Sequence, residues 1–115
     1  MSPLPNLEQA VVSEEKITGY LLSETHPSGR GKAAFFKRFG FDLDRWDVLA
    51  EMLKRHAENH GVTRIEDSPF GTRYVVEGMI DTPVGRTPWV RAVWFLREGH
   101  DAPHLATAYP IDRPS

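Results

Sequence analysis

The 115-residue chain contains no cysteine, so neither a disulfide framework nor a thiolate metal site can form. It also lacks a long hydrophobic run: no uninterrupted apolar stretch exceeds five residues, whereas a transmembrane helix needs about 20. The first residues have neither the basic start nor the apolar stretch of a secretory signal. These absences predict a cytoplasmic protein with no membrane partner.

An excess of charge of one sign is missing too. The formal net charge is −2, which argues against bulk electrostatic attraction to nucleic acid but leaves room for a small basic site. What is present is ordinary for a globular protein: 40% hydrophobic and 26% charged residues, in a chain long enough for one core. We divide the chain into an N-terminal arm over residues 1–12 and a single α+β domain over residues 13–112.

Helices are predicted in the first half of the chain. Ser13 is placed to cap a short helix that ends near Ser23, with two glutamates in its first turn. A second helix is expected over 32–39. A third, longer and amphipathic, starts from a cap at Asp42 or Asp44.

Strands are predicted in the second half. After Gly61 the apolar residues recur with a period of two instead of 3.6. Short turns separate the strands, which predicts an antiparallel meander. The predicted strands cover 62–66, 72–80, 89–97 and 104–111. The fold class is therefore α+β, with three N-terminal helices packed on one face of a four-stranded antiparallel meander sheet.

The loop between the first two helices has the most unusual composition. Its glycines allow close backbone approach to a ligand, and a helix start follows it. Arg30 offers a bidentate fork for phosphate, Lys32 a point charge, and His26 a ring that exchanges protons near neutral pH. The same residues also suit a plain helix-start loop with solvated side chains. The sequence leaves both interpretations open.

The sheet face opposite the helices is the second candidate site, because helices cover only one side. Arg73, Glu77 and Arg91 fall on that face with aromatic residues, which suits an RNA strand: cations bind phosphate and rings stack on bases. A cross-strand arginine–glutamate pair explains the same pattern without a ligand. Thr107 and Tyr109 share one face of the last strand, although periodicity does not decide which face.

No metal or cofactor site is predicted. His56 and His60 are four residues apart on a helix, a spacing that metal sites use, but no third ligand accompanies them. A polar helix end is the preferred interpretation. The sequence shows no serine–histidine–aspartate arrangement either.

Six strings along the chain form a set: Lys16-Ile-Thr-Gly-Tyr-Leu-Leu, His26-Pro-Ser-Gly-Arg-Gly-Lys-Ala-Ala-Phe-Phe, Pro69-Phe-Gly-Thr-Arg-Tyr, Pro83-Val-Gly-Arg, Val93-Trp-Phe and Leu105-Ala-Thr-Ala-Tyr-Pro. The set resembles a family of small bacterial proteins known only as a domain of unknown function, over about residues 4–111. The layout of helices followed by a meander is in turn similar to the barnase–EndoU–colicin–RelE superfold of toxin ribonucleases.

The resemblance to these toxins implies RNA cleavage that needs neither a metal nor a cofactor. In that reaction His26 is the general acid or base. Arg73, with Arg30 or Lys32, stabilises the transition state. The residues that position the scissile phosphate are Thr107 and Tyr109.

Three functions remain open. The first is a toxin-type, metal-independent ribonuclease that acts on RNA and has a cognate antitoxin or immunity protein as its partner. The second is a non-catalytic binding module, immunity- or adaptor-like, that docks a partner through Trp89, Phe95 and Met79 on the open sheet face. The third is a regulator that binds phosphate or a nucleotide at the loop over 26–32. The resemblance places the ribonuclease first among these three. Arg91 is predicted as a further phosphate contact. A homodimer is left open.

Overall fold

The computed structural model describes residues 2–114. A 3-10 turn at Leu7–Gln9 precedes α1 (Glu14–Lys16), which continues as a π-helical segment over Ile17–Leu21. α2 (Arg30–Arg38) follows, and a second 3-10 turn at Leu43–Arg45 leads into α3 (Trp46–Asn59). The strands are β1 (Val62–Ser68), β2 (Gly71–Met79), β3 (Trp89–Arg97) and β4 (His104–Pro110). Helices come first and strands second, as predicted.

Side-chain caps fix where two of the helical segments begin. The Ser13 hydroxyl accepts the Lys16 N–H at 3.1 Å, which confirms Ser13 as the first cap. Asp42 Oδ1 accepts the Arg45 N–H at 3.0 Å, so Asp42 rather than Asp44 caps the turn that leads into α3. In both cases a side-chain oxygen satisfies a backbone donor that has no partner within the helix.

α2 begins at Arg30 instead of the predicted Lys32, and His26 explains the difference. Nδ1 of His26 accepts the N–H groups of Ser28 and Gly29, at 3.0 and 3.1 Å. The His26 carbonyl also accepts the Arg30 N–H at 3.0 Å. Because these bonds satisfy the donors ahead of the helix, the chain winds from Arg30 onwards.

The strands form one antiparallel sheet in the order β1-β2-β3-β4. This is the predicted meander, and with the helices it confirms the α+β fold. A two-residue loop of Pro69 and Phe70 joins β1 to β2, with Ser68 paired to Gly71. β1 therefore runs to Ser68 instead of ending at Glu66, because the tight loop lets the pairing continue to the turn.

The sheet buries one face under the helices and leaves the other open. The residues that face the helices are apolar and almost fully buried: Val76, Val90, Ala92, Trp94, Leu105 and Ala108. They belong to one core cluster with Phe36 of α2 and with Leu49 and Leu53 of α3. Burial of so much apolar surface is the main stabilising contribution to the fold. The open face carries charged and aromatic side chains.

The first twelve residues contribute to the core in a way that their sequence pattern does not reveal. Leu4, Ala10 and Val12 are buried in the main apolar cluster. Val11 runs beside β4, where its carbonyl accepts the Leu105 N–H at 3.0 Å. The segment therefore covers the start of the β4 edge while its apolar side chains pack inward.

His56 is a buried polar side chain within the core. Its Nε2 lies 3.1 Å from the carbonyl oxygens of both Gly78 and Val90 and donates to them, which ties α3 to β2 and β3. Burial, with a smaller contribution from His60, lowers the pKa of His56 to about 4, so the ring is neutral. His60 Nε2 donates to the Met79 carbonyl at 2.8 Å. Both histidines therefore hold α3 against the sheet.

Two kinds of structural feature are not found among the described residues. Over residues 2–114, no group of three histidine, aspartate or glutamate side chains is arranged to hold a metal ion. Within the same range, no helix is long and apolar enough to cross a membrane.

Candidate functional site

Polar and ionisable side chains gather at the edge of β4. We call them the tyrosine cluster: Lys16, Tyr20, His26, Lys32, Arg91, Thr107 and Tyr109. At its centre, the Tyr20 hydroxyl lies 2.9 Å from Thr107 Oγ1. The π-helical turn explains this position, because its wider winding buries Ile17 and Leu21 in the core and leaves Tyr20 half-buried beside β4.

Two lysines flank the Tyr20 ring. Lys16 Nζ lies 5.1 Å and Lys32 Nζ 5.2 Å from the ring centroid. Lys16 precedes Tyr20 by four residues, whereas Lys32 comes from the first turn of α2 and is anchored by a 3.0 Å bond from Nζ to the Ser28 carbonyl. Lys32 Nζ is also 6.0 Å from the centroid of the Tyr109 ring. Positive charges from separate elements therefore converge on one phenol.

The surroundings of Tyr20 make its phenol easier to ionise than that of an ordinary tyrosine. Burial raises the pKa of the phenol, but the hydrogen bond with Thr107 and the interactions with Lys32 and Lys16 outweigh it. The pKa of Tyr20 is therefore lowered from its usual value of 10.0. A phenol of this kind exchanges its proton more readily at neutral pH than an ordinary tyrosine does.

Arg91 is held in a fixed orientation on the open-face side of the cluster. Its Nε donates to Glu77 Oε2 at 2.5 Å, and Nη1 donates to the Tyr109 hydroxyl at 3.2 Å. Its guanidinium carbon lies 5.5 Å from the centroid of the Tyr109 ring. Glu77 and Arg91 are register partners on β2 and β3, so the cross-strand pair considered from the sequence does form. A guanidinium has five N–H donors, so further donors can bind an anionic ligand.

His26 packs its ring edge-on against Tyr20, with 5.0 Å between the ring centroids. Because Nδ1 accepts two backbone N–H bonds, the proton of the neutral ring lies on Nε2. The ring therefore offers a hydrogen-bond donor. It can take up a second proton only if Nδ1 releases the N–H groups of Ser28 and Gly29. Both roles predicted for His26, general acid and general base, therefore require Nδ1 to be released first.

The two remaining predicted cations lie outside these contacts. Arg73 lines a groove of about 340 Å³ on the open sheet face, whose other walls include Glu77, Arg91 and Tyr109. Arg30, the first residue of α2, is exposed. Arg73 thus adjoins the tyrosine cluster through the groove, and Arg30 lies at the start of the helix that carries Lys32.

The structure brings together most of the residues that the sequence singled out from two separate candidate sites. The loop contributes His26 and Lys32, and the sheet contributes Arg91, Thr107 and Tyr109. These five meet at one edge because α1 and α2 pack beside β4. Their chemical roles stay predictions.

Sequence reasoning missed Lys16 and Tyr20. The helical spacing of Tyr20 from Ile17 and Leu21 indicates only a place on the apolar face of the first helix. One signal was available: tyrosine has a polar tip that usually finds a partner when the ring is buried, and Lys16 precedes it by four residues. The partner itself, Thr107, lies 87 residues away, and no local pattern reports it.

Comparison with known proteins gives one family and one fold. The family described as a domain of unknown function (DUF6883) matches residues 3–112, and the chain belongs to it. A chain of the contact-dependent growth inhibition toxin–immunity protein complex from Klebsiella pneumoniae 342 has a similar structure, with a TM-score of 0.70. The similarity covers 94% of this chain and 98% of that one at 16% sequence identity, so it shows a shared fold. Comparison with the curated proteins gave no match.

Proposed function

We propose that this member of the DUF6883 family is a toxin-type ribonuclease that cuts RNA at the tyrosine cluster without a metal ion. The observation that carries the proposal is the Tyr20 hydroxyl, 2.9 Å from Thr107 Oγ1 with Lys16 and Lys32 beside its ring. Such a phenol suits proton transfer near neutral pH. The fold shared with a chain of a toxin–immunity protein complex supports the toxin class.

The proposed reaction is attack of an RNA 2′-hydroxyl on the adjacent phosphorus. Tyr20, as the phenolate, takes the proton of the 2′-hydroxyl. The bond from the 2′-oxygen to phosphorus forms while the bond from phosphorus to the 5′-oxygen breaks. The Lys32 ammonium gives the leaving 5′-oxygen its proton, or the His26 ring does so once Nδ1 has released the Ser28 and Gly29 N–H groups and taken up a proton from solvent. The products are a 2′,3′-cyclic phosphate and a 5′-hydroxyl.

Cations of the cluster stabilise the charge that develops on the phosphate. Lys32 and Arg91 both lie beside Tyr109, so they can bind the non-bridging oxygens of one phosphate. The hydroxyls of Thr107 and Tyr109 position that phosphate by hydrogen bonds. Arg73, further along the groove, binds the phosphate of a neighbouring nucleotide. Arg30 adds an exposed cation at the rim.

The test is cleavage of a labelled cellular RNA pool in excess EDTA. We expect the wild type to leave cyclic phosphate ends, and Tyr20→Phe and Lys32→Met to lose cleavage while staying folded. Lys54→Met is the matched control, because Lys54 is half-buried like Lys32 but lies on α3. It should cut like the wild type.

Two results would contradict the proposal. A folded wild type that cuts no RNA removes the ribonuclease altogether. Cleavage that survives in both Tyr20→Phe and Lys32→Met moves the reaction to a different site. Binding of RNA or nucleotides without cleavage would instead favour the phosphate-binding regulator.

The proposed partner is a cognate antitoxin or immunity protein that covers the cluster. The cluster carries Lys16, Lys32 and Arg91 in a chain whose net charge is −2, so the complementary surface is acidic. We expect such a partner to suppress cleavage in proportion to its occupancy. Its affinity should fall as the salt concentration rises.

The second candidate is a non-catalytic, immunity-like module, because the solved complex contains an immunity protein as well as a toxin. The open face offers it Met79, which is 47% exposed, beside the half-buried Trp89. A folded protein that cuts no RNA and captures a partner through this surface would support it. In that case Met79→Lys should abolish capture, whereas Tyr20→Phe should not.

A further inference from the structure

β1 is an open edge of the sheet. Its residues from Thr63 to Ser68 are all exposed, and within residues 2–114 they pair with β2 on one side only. At the other end of the strand, the Ser2 carbonyl accepts the Val62 N–H at 2.7 Å. The β4 edge differs, because Val11 covers its start. An unpaired strand edge is a template for pairing with another strand.

The pairing with β2 decides which backbone groups of β1 face outward. The two-residue loop at the end of β1 places a hydrogen-bonded pair at Ser68, and bonded and non-bonded pairs then alternate along the strand. Arg64 and Glu66 therefore bond to β2. The N–H and C=O groups of Ile65 and Asp67 point away from β2, where an added strand can reach them.

We propose that a second copy of this chain pairs with β1, antiparallel and about a two-fold axis at Ile65, to form a continuous eight-stranded sheet. In this register Ile65 lies opposite the partner's Ile65 and exchanges two backbone hydrogen bonds with it. Arg64 lies opposite the partner's Glu66, and Glu66 opposite the partner's Arg64. Unlike charges therefore face each other at two positions across the interface.

Charge selects this register over its neighbours. Side chains that are paired across two antiparallel strands lie on the same face of the sheet. A two-fold axis perpendicular to the sheet therefore lies midway between one residue and the same residue of the partner. An axis at Arg64 would oppose two arginines, an axis at Glu66 two glutamates, and an axis at Asp67 two aspartates. The axis at Ile65 opposes unlike charges and also buries an isoleucine that is 57% exposed in the single chain.

The expected dimer is weak and independent of the proposed ribonuclease activity. One pair of strands buries less than a standard interface of about 1,600 Å², so dissociation in the micromolar to millimolar range is expected. β1 and the tyrosine cluster lie at opposite edges of the sheet. Arg64 and Glu66 of β1 nevertheless line the groove that holds Arg73 and Arg91, so the charge variants are used to measure the dimer alone. Loss of cleavage in Tyr20→Phe should leave the dimer unchanged, so the failure of one proposal is distinguishable from the failure of the other.

A charge-swap series measured by sedimentation equilibrium tests the proposal, with the whole chain from about 10 µM to about 1 mM. Arg64→Glu and Glu66→Arg should each weaken the dimer at least about tenfold, because each opposes like charges across the axis. The double variant should recover wild-type association, because the swap restores both pairs. A monomer at every concentration overturns the proposal and leaves the edge to a strand of another protein. A dimer whose dissociation constant is the same in the wild type and the charge variants overturns the proposal as well.

Cysteine cross-linking reports the register directly, since the chain has no cysteine of its own. In the proposed dimer the two Ile65 Cα atoms are about 5.5 Å apart, a separation that a disulfide spans. Ile65→Cys should therefore form a disulfide-linked dimer under mild oxidation. Val84→Cys is the matched control, because Val84 is 53% exposed but lies in the loop between β2 and β3. Equal cross-linking of the two variants would contradict the register.

Discussion

Two regions of this molecule surround a titratable ring in different ways, with opposite results. Beneath α3, His56 is 2% exposed, and burial lowers its pKa to about 4, so it stays neutral. At the β4 edge, burial of Tyr20 raises its pKa. The hydrogen bond with Thr107 and the interactions with Lys32 and Lys16 outweigh burial there, so the pKa of Tyr20 is lowered.

The difference separates a structural group from a candidate for chemistry. In the core, desolvation dominates and suppresses charge, and the neutral ring is left to donate to two carbonyls. At the edge, the hydrogen bond with Thr107 and the interactions with Lys32 and Lys16 together outweigh desolvation, so the pKa shifts in the direction that burial alone would oppose. A phenol held in this way is available for proton transfer.

The largest expected effect separates activity from stability at the edge. Tyr20→Phe removes the hydroxyl but keeps the ring, so cleavage of RNA should fall about 10²- to 10⁴-fold, the usual contribution of an acid–base group. The free energy of unfolding should fall by only about 1 kcal/mol, for one half-exposed hydrogen bond. Single-turnover cleavage and urea denaturation measure the two quantities. An activity loss no larger than the loss of folded protein would make Tyr20 a structural residue.

The next effect concerns the core and its dependence on pH. His56 titrates near 6.5 in the unfolded chain and near 4 in the folded one, so the unfolded state binds more protons between these values. The free energy of unfolding should therefore fall as the pH drops from 6.5 to 4, by roughly 3 kcal/mol. His56→Gln keeps a donor near the two carbonyls and removes the titration. The difference between the two denaturation profiles isolates His56 from the carboxylates, and parallel profiles would refute this assignment.

The sequence predicted most of the fold because local patterns determine it. Alternating apolar residues, short turns and the Ser13 cap are all readable over a few residues, and each element formed close to its predicted range. The sequence pattern does not predict that Leu4 lies in the core, because its burial depends on where the first residues run across the folded structure.

The candidate site was predicted in pieces, without the contact that joins them. Loop and sheet residues were named separately, since no local pattern relates Lys32 to Tyr109. The spacing of His56 and His60 admits a metal site as one alternative. Their partners in the structure are backbone carbonyls of the sheet, which are distant in sequence and which the spacing does not reveal. The packing of α1 and α2 beside β4 brings the site residues together, and the spacing of residues along the chain does not report that packing.

Substitutions of Lys32 and Lys16 test which neighbours lower the pKa of Tyr20. Lys32 lowers the pKa of Tyr20 more than Lys16 does. Lys32→Met should therefore raise the pKa of Tyr20 more than Lys16→Met does, and Lys16→Met should also move the rise of its pH–rate profile to higher pH. Titration of tyrosine absorbance, with Tyr20→Phe as the reference, measures the pKa directly. An unmoved Tyr20 pKa in both variants would leave the hydrogen bond with Thr107 as the cause of the lowered pKa.

The smallest effect decides whether His26 takes part in chemistry or only starts a helix. His26→Ala removes the acceptor for the Ser28 and Gly29 N–H groups, so the free energy of unfolding should fall by about 1 kcal/mol. His26→Asn places an oxygen close to Nδ1, so it should keep the loop and most of this stability while removing the ring. If the ring donates a proton to the leaving 5′-oxygen, both variants lose cleavage. If Asn retains full cleavage, Lys32 is left as the donor, and His26 belongs with His56 as a ring that serves the backbone.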